Sequence, residues 1–295
     1  MISRLIKFSL PILLLFALFS CSEQGSFSMD EPERVTSGYQ FTEGPHWLEE
    51  GSLIFSDIPA NRVYRWMPGS SEATVYIDSS GNSNGIESMP DGTLVLAQHA
   101  GKVSKMNQDG TLEPIAESYE GQRLNSPNDL AIRSDGTIYF TDPTFGVSEE
   151  DRELDFAGVY RIDPAGELHL VYDGFSLPNG VALSPDETML YVNDSETGSV
   201  IRFELLENGE AVNMEEFSNI GNMSEMGGAD GMITDSDGRL YTTGPNGLIV
   251  FDSGGTEITR IEFEQQITNV EWGGEDGSSL FVTSRGDVFR IRVKK

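Results

Sequence analysis

Cysteine is almost absent: the 295-residue chain has one, Cys21. A disulfide framework and a cysteine-based zinc site are both excluded. Histidine is scarce too, with only His46, His99 and His169. Cations are few, since 19 Lys and Arg face 48 Asp and Glu, for a formal charge of −29. Such a surface repels phosphate backbones and anionic headgroups, so neither nucleic acid nor a bare lipid surface is expected as a partner. No segment reads as a long helix. Hydrophobics are 38% and glycines number 32, which suits strands and turns.

The N-terminus is a separate matter. Arg4 and Lys7 precede an apolar run, Leu10 to Phe19, too short to span a bilayer comfortably. This is the pattern of a secretory signal. It ends Leu18-Phe19-Ser20-Cys21, which resembles a bacterial lipobox. Residues 1–20 are therefore expected to be a signal peptide and Cys21 a lipidated first residue. Residues 21–33 would form a flexible tether, and 34–295 the folded domain. The expectation is an exported envelope lipoprotein, monomeric, touching membrane only through Cys21. A plain signal peptide is the alternative. Outside the cytosol calcium is plentiful, so weak sites for it would be filled.

From Arg34 onward the chain repeats itself six times. The strands that follow each tight turn are Leu53-Ile-Phe-Ser-Asp, Leu94-Val-Leu-Ala-Gln, Ile138-Tyr-Phe-Thr-Asp, Leu190-Tyr-Val-Asn-Asp, Leu240-Tyr-Thr-Thr-Gly and Leu280-Phe-Val-Thr-Ser. Their spacing, about 40 to 50 residues, is that of a four-stranded propeller blade. A third strand follows each, and a fourth follows in five repeats. The sixth repeat lacks its fourth strand because the chain stops at Lys295. The segment Arg34-Val-Thr-Ser-Gly-Tyr-Gln-Phe, upstream of the first repeat, is unpaired. The expected fold is all-β, a six-bladed β-propeller closed by this N-terminal strand, since an open edge would expose backbone groups.

One residue stands before the first strand of each repeat: Glu43, Asn84, Asn128, Asn179, Asp230 and Asn269. All six offer a side-chain oxygen. First strands line the axis of a propeller, so the six are expected at one end of one channel. Calcium takes six to eight oxygens in flexible geometry, whereas zinc prefers His and Cys. Turn chemistry alone is the alternative, because Asn and Asp beside Gly are common at loop ends.

These residues carry a resemblance. Glu43-Gly-Pro-His-Trp, Arg123-Leu-Asn-Ser-Pro-Asn-Asp-Leu, Thr141-Asp-Pro, Leu177-Pro-Asn-Gly-Val-Ala-Leu-Ser-Pro-Asp and Ala229-Asp-Gly are similar to the gluconolactonase / senescence-marker-protein-30-like family of six-bladed propellers. The resemblance covers essentially the whole mature chain. It implies a divalent metal, usually calcium, held by Glu43, Asn128, Asn179 and Asp230. It also implies Asp230 as general base and Arg123 as a contact to a sugar lactone. Asn84 and Asn269 would then be pocket walls or supports behind the ligands.

The implied reaction is metal-assisted lactone hydrolysis. Three readings remain open: a calcium-dependent sugar lactonase, a related enzyme for other lactones or phosphotriesters, and a non-catalytic calcium-stabilised sugar-binding propeller. A Ser-His-Asp triad is not expected. His46 or His99 would reach the pocket or serve structure. The three tryptophans are expected to pack between blades. Asp57, Asp142 and Asp194 end second strands and either support the site or terminate strands. The loops 146–156 and 222–226 are expected to border the pocket.

Overall fold

The computed structural model describes residues 27–294 apart from Glu225. The signal peptide and the lipidation at Cys21 lie outside the described residues. Two N-terminal strands, β1 (Ser28–Met29) and β2 (Glu33–Ser37), precede the first blade. That blade comprises β3 (Thr42–Leu48), β4 (Ser52–Asp57), β5 (Arg62–Trp66) and β6 (Thr74–Asp78). The second has β7 (Ser83–Ser88), β8 (Leu94–Gln98), β9 (Lys102–Met106) and β10 (Leu112–Ala116). A small hairpin, β11 (Ser118–Tyr119) and β12 (Gln122–Arg123), leads into the third.

The third blade is β13 (Leu130–Ile132), β14 (Ile138–Asp142), β15 (Ala157–Ile162) and β16 (Leu168–Phe175). The fourth is β17 (Pro178–Leu183), β18 (Met189–Asp194), β19 (Ser199–Leu205) and β20 (Ala211–Asn219). The fifth is β21 (Met232–Thr234), β22 (Leu240–Gly244), β23 (Gly247–Phe251) and β24 (Glu257–Glu262). The last has β25 (Asn269–Gly273), β26 (Ser279–Ser284) and β27 (Asp287–Lys294).

Strands within each blade pair antiparallel in chain order. First strands of successive blades are neighbours: β3 with β7, β7 with β13, then β17, β21, β25 and β3 again. The ring thus closes, as the repeats imply. Closure uses the N-terminal strand: β2 pairs antiparallel with β27, Arg34 opposite Phe289.

The tether expectation needs correction. Paired chain begins at Ser28, inside the stretch expected to be free, with Ser28 opposite Lys294 and Met29 opposite Val293. Phe27 and Met29 pack on the core between the last two blades, and the Arg239 guanidinium sits over the Phe27 ring. Two apolar side chains among polar neighbours were enough to extend the closing strand.

Six buried clusters account for the packing, and each spans one junction between adjacent blades. The alternation of the strands explains this, since each sheet turns one face to each neighbour. The tryptophans belong here. Trp47 stacks on Phe281 with centroids 5.0 Å apart, Trp66 tilts against the same ring, and Trp272 meets Tyr241 edge-on. Phe281 therefore joins the last blade to the first. Replacing Phe281 with Ala is expected to cost about 3–5 kcal/mol, the range for a buried aromatic truncated to Ala. Urea unfolding would measure it, and a change within error would show that the closure does not rest on this ring.

Candidate active site at the channel mouth

Each oxygen donor opens an inner strand, and each is placed by its neighbours' backbone. A glycine follows four of the six donors and makes this close approach possible. A Cβ on Gly180 would lie 2.2 Å from the Asp230 carbonyl oxygen, and one on Gly85 would lie 2.9 Å from that of Asn128. Neither glycine has positive φ. Asn179-Gly180 and Asn84-Gly85 are thus strand residues in close approach, and the turn reading does not apply to them.

Side chains at the ends of the second strands complete the positioning. Ser56 Oγ donates to the Asn84 carbonyl (2.8 Å), Thr141 Oγ1 to that of Asn179 (2.6 Å), and Asn193 Nδ2 to that of Asp230 (2.6 Å). The residue after each of these is an Asp that holds its own blade's incoming loop. Asp57 accepts from the Gln40 and Phe41 N–H groups, Asp142 from Asn125, and Asp194 from Ser176 and Leu177. These aspartates support the site rather than merely ending strands.

Five of the six donors line one cavity of about 190 Å³: Glu43, Asn84, Asn128, Asn179 and Asp230. Its rim carries Phe41, Ile58, Phe145 and Met223, with His99 among the lining residues and no Lys or Arg. The sixth donor, Asn269, lines the channel directly beneath. Its Oδ1 accepts from the Val270 N–H at 2.7 Å. Asn269 therefore stands behind Glu43, where it favours the charged carboxylate, in the supporting position expected for it as the alternative to a wall.

Charge in this cavity is unbalanced. Glu43 is 2% exposed, and Asp230 lies against it and against Asn179. Burial, and then the negative charges around them, push both carboxyls well above the usual range: Asp129 acts on Glu43, and Glu43 and Asp129 act on Asp230. Asp129 is itself pushed to about 7 by burial. Meanwhile the Asn179 amide donates to Ser195 Oγ (2.9 Å), and the Asn84 amide meets His99 Nε2 (3.2 Å). Their Oδ1 atoms are buried without a partner. Two carboxylates in contact and orphaned amide oxygens fit a hard dication. Glu43, Asn128, Asn179 and Asp230 would hold it, with Asn84 beside them.

Two expected contacts fall elsewhere. Arg123 does not line the cavity. It ends the small hairpin, packs on Gly101, and donates through Nη1 to the Leu124 (2.9 Å) and Asn125 (3.2 Å) carbonyls. It is a brace for its own loop, so the expected substrate contact is corrected. His46 also lies outside the cavity. Three residues past Glu43 on β3, its ring bonds Ser88 Oγ through Nε2 (2.7 Å). A β-bulge lies between Glu43 and His46, and the His46 ring packs behind the channel wall beside Ser88.

Of the two loops expected at the cavity, 222–226 reaches it through Met223, whereas no residue of 146–156 lines it, and only Phe145, just before that loop, does. Glu153 is bound to the hairpin instead, accepting from the Arg123 N–H at 2.6 Å.

The sequence reading missed Asp129 and Ser195. Asp129 was visible as the acid directly after Asn128. Ser195, whose Oγ also donates to the Ala229 carbonyl (2.6 Å), had no repeat signal. Gly81-Asn82-Ser83-Asn84-Gly85 carries the G-x-S-x-G spacing as well. Ser83 is buried at the start of a strand and bonds Ser56 Oγ at 2.9 Å. The strand-to-helix turn of a nucleophile elbow is absent there.

The fold and this cavity define a six-bladed propeller with an oxygen-lined axial site. The chain belongs to the SMP-30/Gluconolactonase/LRE-like family, whose model matches residues 41–286. It is 34% identical to a gluconolactonase of Zymomonas mobilis over 89% of this chain and 81% of that protein. A pentonolactonase of Haloferax volcanii is 26% identical over 85% of this chain and 84% of its own length. Among solved structures, a gluconolactonase of Xanthomonas campestris superposes with a TM-score of 0.79 at 29% identity. That match covers 88% of this chain and 89% of the other.

A pH dependence follows from the buried acids. Asp129 and Asp142 are both raised to about 7 by burial, from an unfolded value near 3.9. The folded state holds these protons more tightly, so their contribution is fully present below about pH 4 and is lost as pH rises through about 7. Surface aspartates with lowered values, such as Asp91 and Asp109, act only below that window. Cation-free protein should therefore lose urea resistance steadily between about pH 5 and pH 8. A flat or rising midpoint there would contradict the burial argument.

Proposed function

We propose that the protein is a divalent-cation-dependent lactonase that opens sugar lactones, with calcium as the first candidate ion. The observation that carries this is the buried Glu43 carboxyl in contact with the half-buried Asp230, beside the Asn84 and Asn179 amide oxygens that have no partner. Its relatives named for gluconolactone and pentonolactone hydrolysis support the substrate class. Bound there, the cation supplies Lewis acidity that polarises the lactone carbonyl and stabilises the developing oxyanion.

The chain's own residues do the rest. Asp230 takes a proton from the attacking water and returns one to the leaving alkoxide. Its raised pKa makes it a base only when positive charge shares the cavity, so ion binding and activity are coupled. Asn84, Asn128 and Asn179 present amides whose orientation is set by the ring. Burial lowers His99 to about 4, so it is neutral at physiological pH and acts as a hydrogen-bonding wall. Phe41, Ile58, Phe145 and Met223 narrow the access of bulk water.

Chelation should abolish hydrolysis of gluconolactone, and calcium should restore it. Asp230→Asn should lower kcat about 100- to 10,000-fold, the usual contribution of a general base. A panel of sugar lactones and phosphotriesters would read the substrate class. Turnover of phosphotriesters without lactones would move it. Calcium-dependent thermal stabilisation with no turnover at all would favour a binding protein.

We also propose export and anchoring through Cys21, on the strength of the Leu18-Phe19-Ser20-Cys21 stretch. Cys21→Ser should abolish palmitate labelling and release the protein from membranes. Labelling that persists in that variant would end this reading.

A further inference from the structure

A second group of polar residues lies deeper in the channel and plays no part in the reaction above. His46 on β3, Glu87 on β7 and Glu271 on β25 come from three different blades. One ring nitrogen of His46 and one carboxylate oxygen of each Glu lie within 4.8 Å of one another. They stand two or three residues beyond the mouth donors along their inner strands, which is about 7–10 Å further down the axis. None of the three lines the mouth cavity.

His46 distinguishes this group from an ordinary acidic cluster. It is 5% exposed. Ser88 Oγ occupies its Nε2 at 2.7 Å, while its Nδ1 is buried with no hydrogen-bond partner. That nitrogen is 3.3 Å from Glu87 Oε1, with which it forms an ion pair when the ring is protonated. Glu87 and Glu271 both line the channel together with Asp129, and no Lys or Arg does. An imidazole nitrogen oriented by a bond to its other nitrogen, facing two carboxylates, has the form of a metal ligand set.

We propose that His46, Glu87 and Glu271 bind a second divalent cation, of the zinc class, distinct from the ion at the channel mouth. One nitrogen and two carboxylate oxygens are three of the four ligands of a tetrahedral zinc, and channel water completes it. The mouth site is all oxygen and suits calcium. The deeper one contains imidazole, which calcium sites seldom use. The cation would also tie three blades together at the axis.

The experiment uses the full folded protein. Chelator-stripped protein is equilibrated with excess Ca2+ and with Zn2+, desalted, and assayed for both metals by mass spectrometry. One zinc per chain is expected beside the calcium. His46→Ala and the isosteric Glu271→Gln should each weaken zinc binding at least roughly 10- to 100-fold, since losing a ligand costs no less than losing an outer partner. Calcium content should be unchanged in both. Asp230→Asn should do the converse, losing calcium and keeping zinc. Circular dichroism confirms that each variant is folded. Absence of bound zinc, zinc that survives both substitutions in folded protein, or zinc lost only with Asp230→Asn would each overturn the proposal.

Discussion

The structure depends on a short hydrogen bond repeated around the axis. A side chain at the end of one blade's second strand donates to the carbonyl of the oxygen donor in the next blade. Ser56, Thr141 and Asn193 each do so. The bond closes the gap between inner strands, and at the Asn84 and Asp230 carbonyls a glycine after the preceding blade's donor, Gly44 or Gly180, leaves room for it. One contact therefore does two things. It ties adjacent blades together at the axis, beside the apolar clusters that fill each junction, and it fixes the backbone from which the donor side chain projects. Fold and site are built from the same bonds, so neither can vary far without the other.

That geometry concentrates acid where solvent is scarce. Glu43, Asp129 and Asp230 are brought together by ring closure, and none has a basic partner among the described residues lining the cavity. Burial first, and then mutual repulsion, pushes these carboxyls high, so without a cation they hold protons. A dication would replace them and would restore charge to Asp230. The same logic covers the deeper channel, where Glu87 and Glu271 face His46. Acidity that is dilute on the surface acts as solubility. Acidity gathered at an axis acts as an ion trap.

Much of this was legible in one dimension. The dipeptides Ser56-Asp57, Thr141-Asp142 and Asn193-Asp194 recur at the same place in their repeats, and both members have structural work: the first bonds forward, the second bonds back to its own incoming loop. The six donors recur at the heads of the first strands. What failed were predictions about single residues that do not repeat. Arg123 precedes Asn128 by five residues, but an unforeseen two-residue-strand hairpin carries it away to its own backbone carbonyls. His46 is only three residues from Glu43, yet a β-bulge intervenes and its ring packs behind the channel wall. The apolar pair Phe27 and Met29 was hidden in a polar stretch.

The amino-acid sequence by itself determined the all-β class, the six repeats, the closing N-terminal strand and the set of oxygen donors. Each of these is written as a local pattern with a fixed period, and local patterns survive without coordinates. Only the tertiary structure decided which donors share a cavity, that Asn269 supports from below, and that His46, Glu87 and Glu271 meet. Those outcomes depend on where a bulge falls and which way a side chain turns between blades far apart in the chain. No periodicity encodes such choices, because they are settled by packing after the ring has closed.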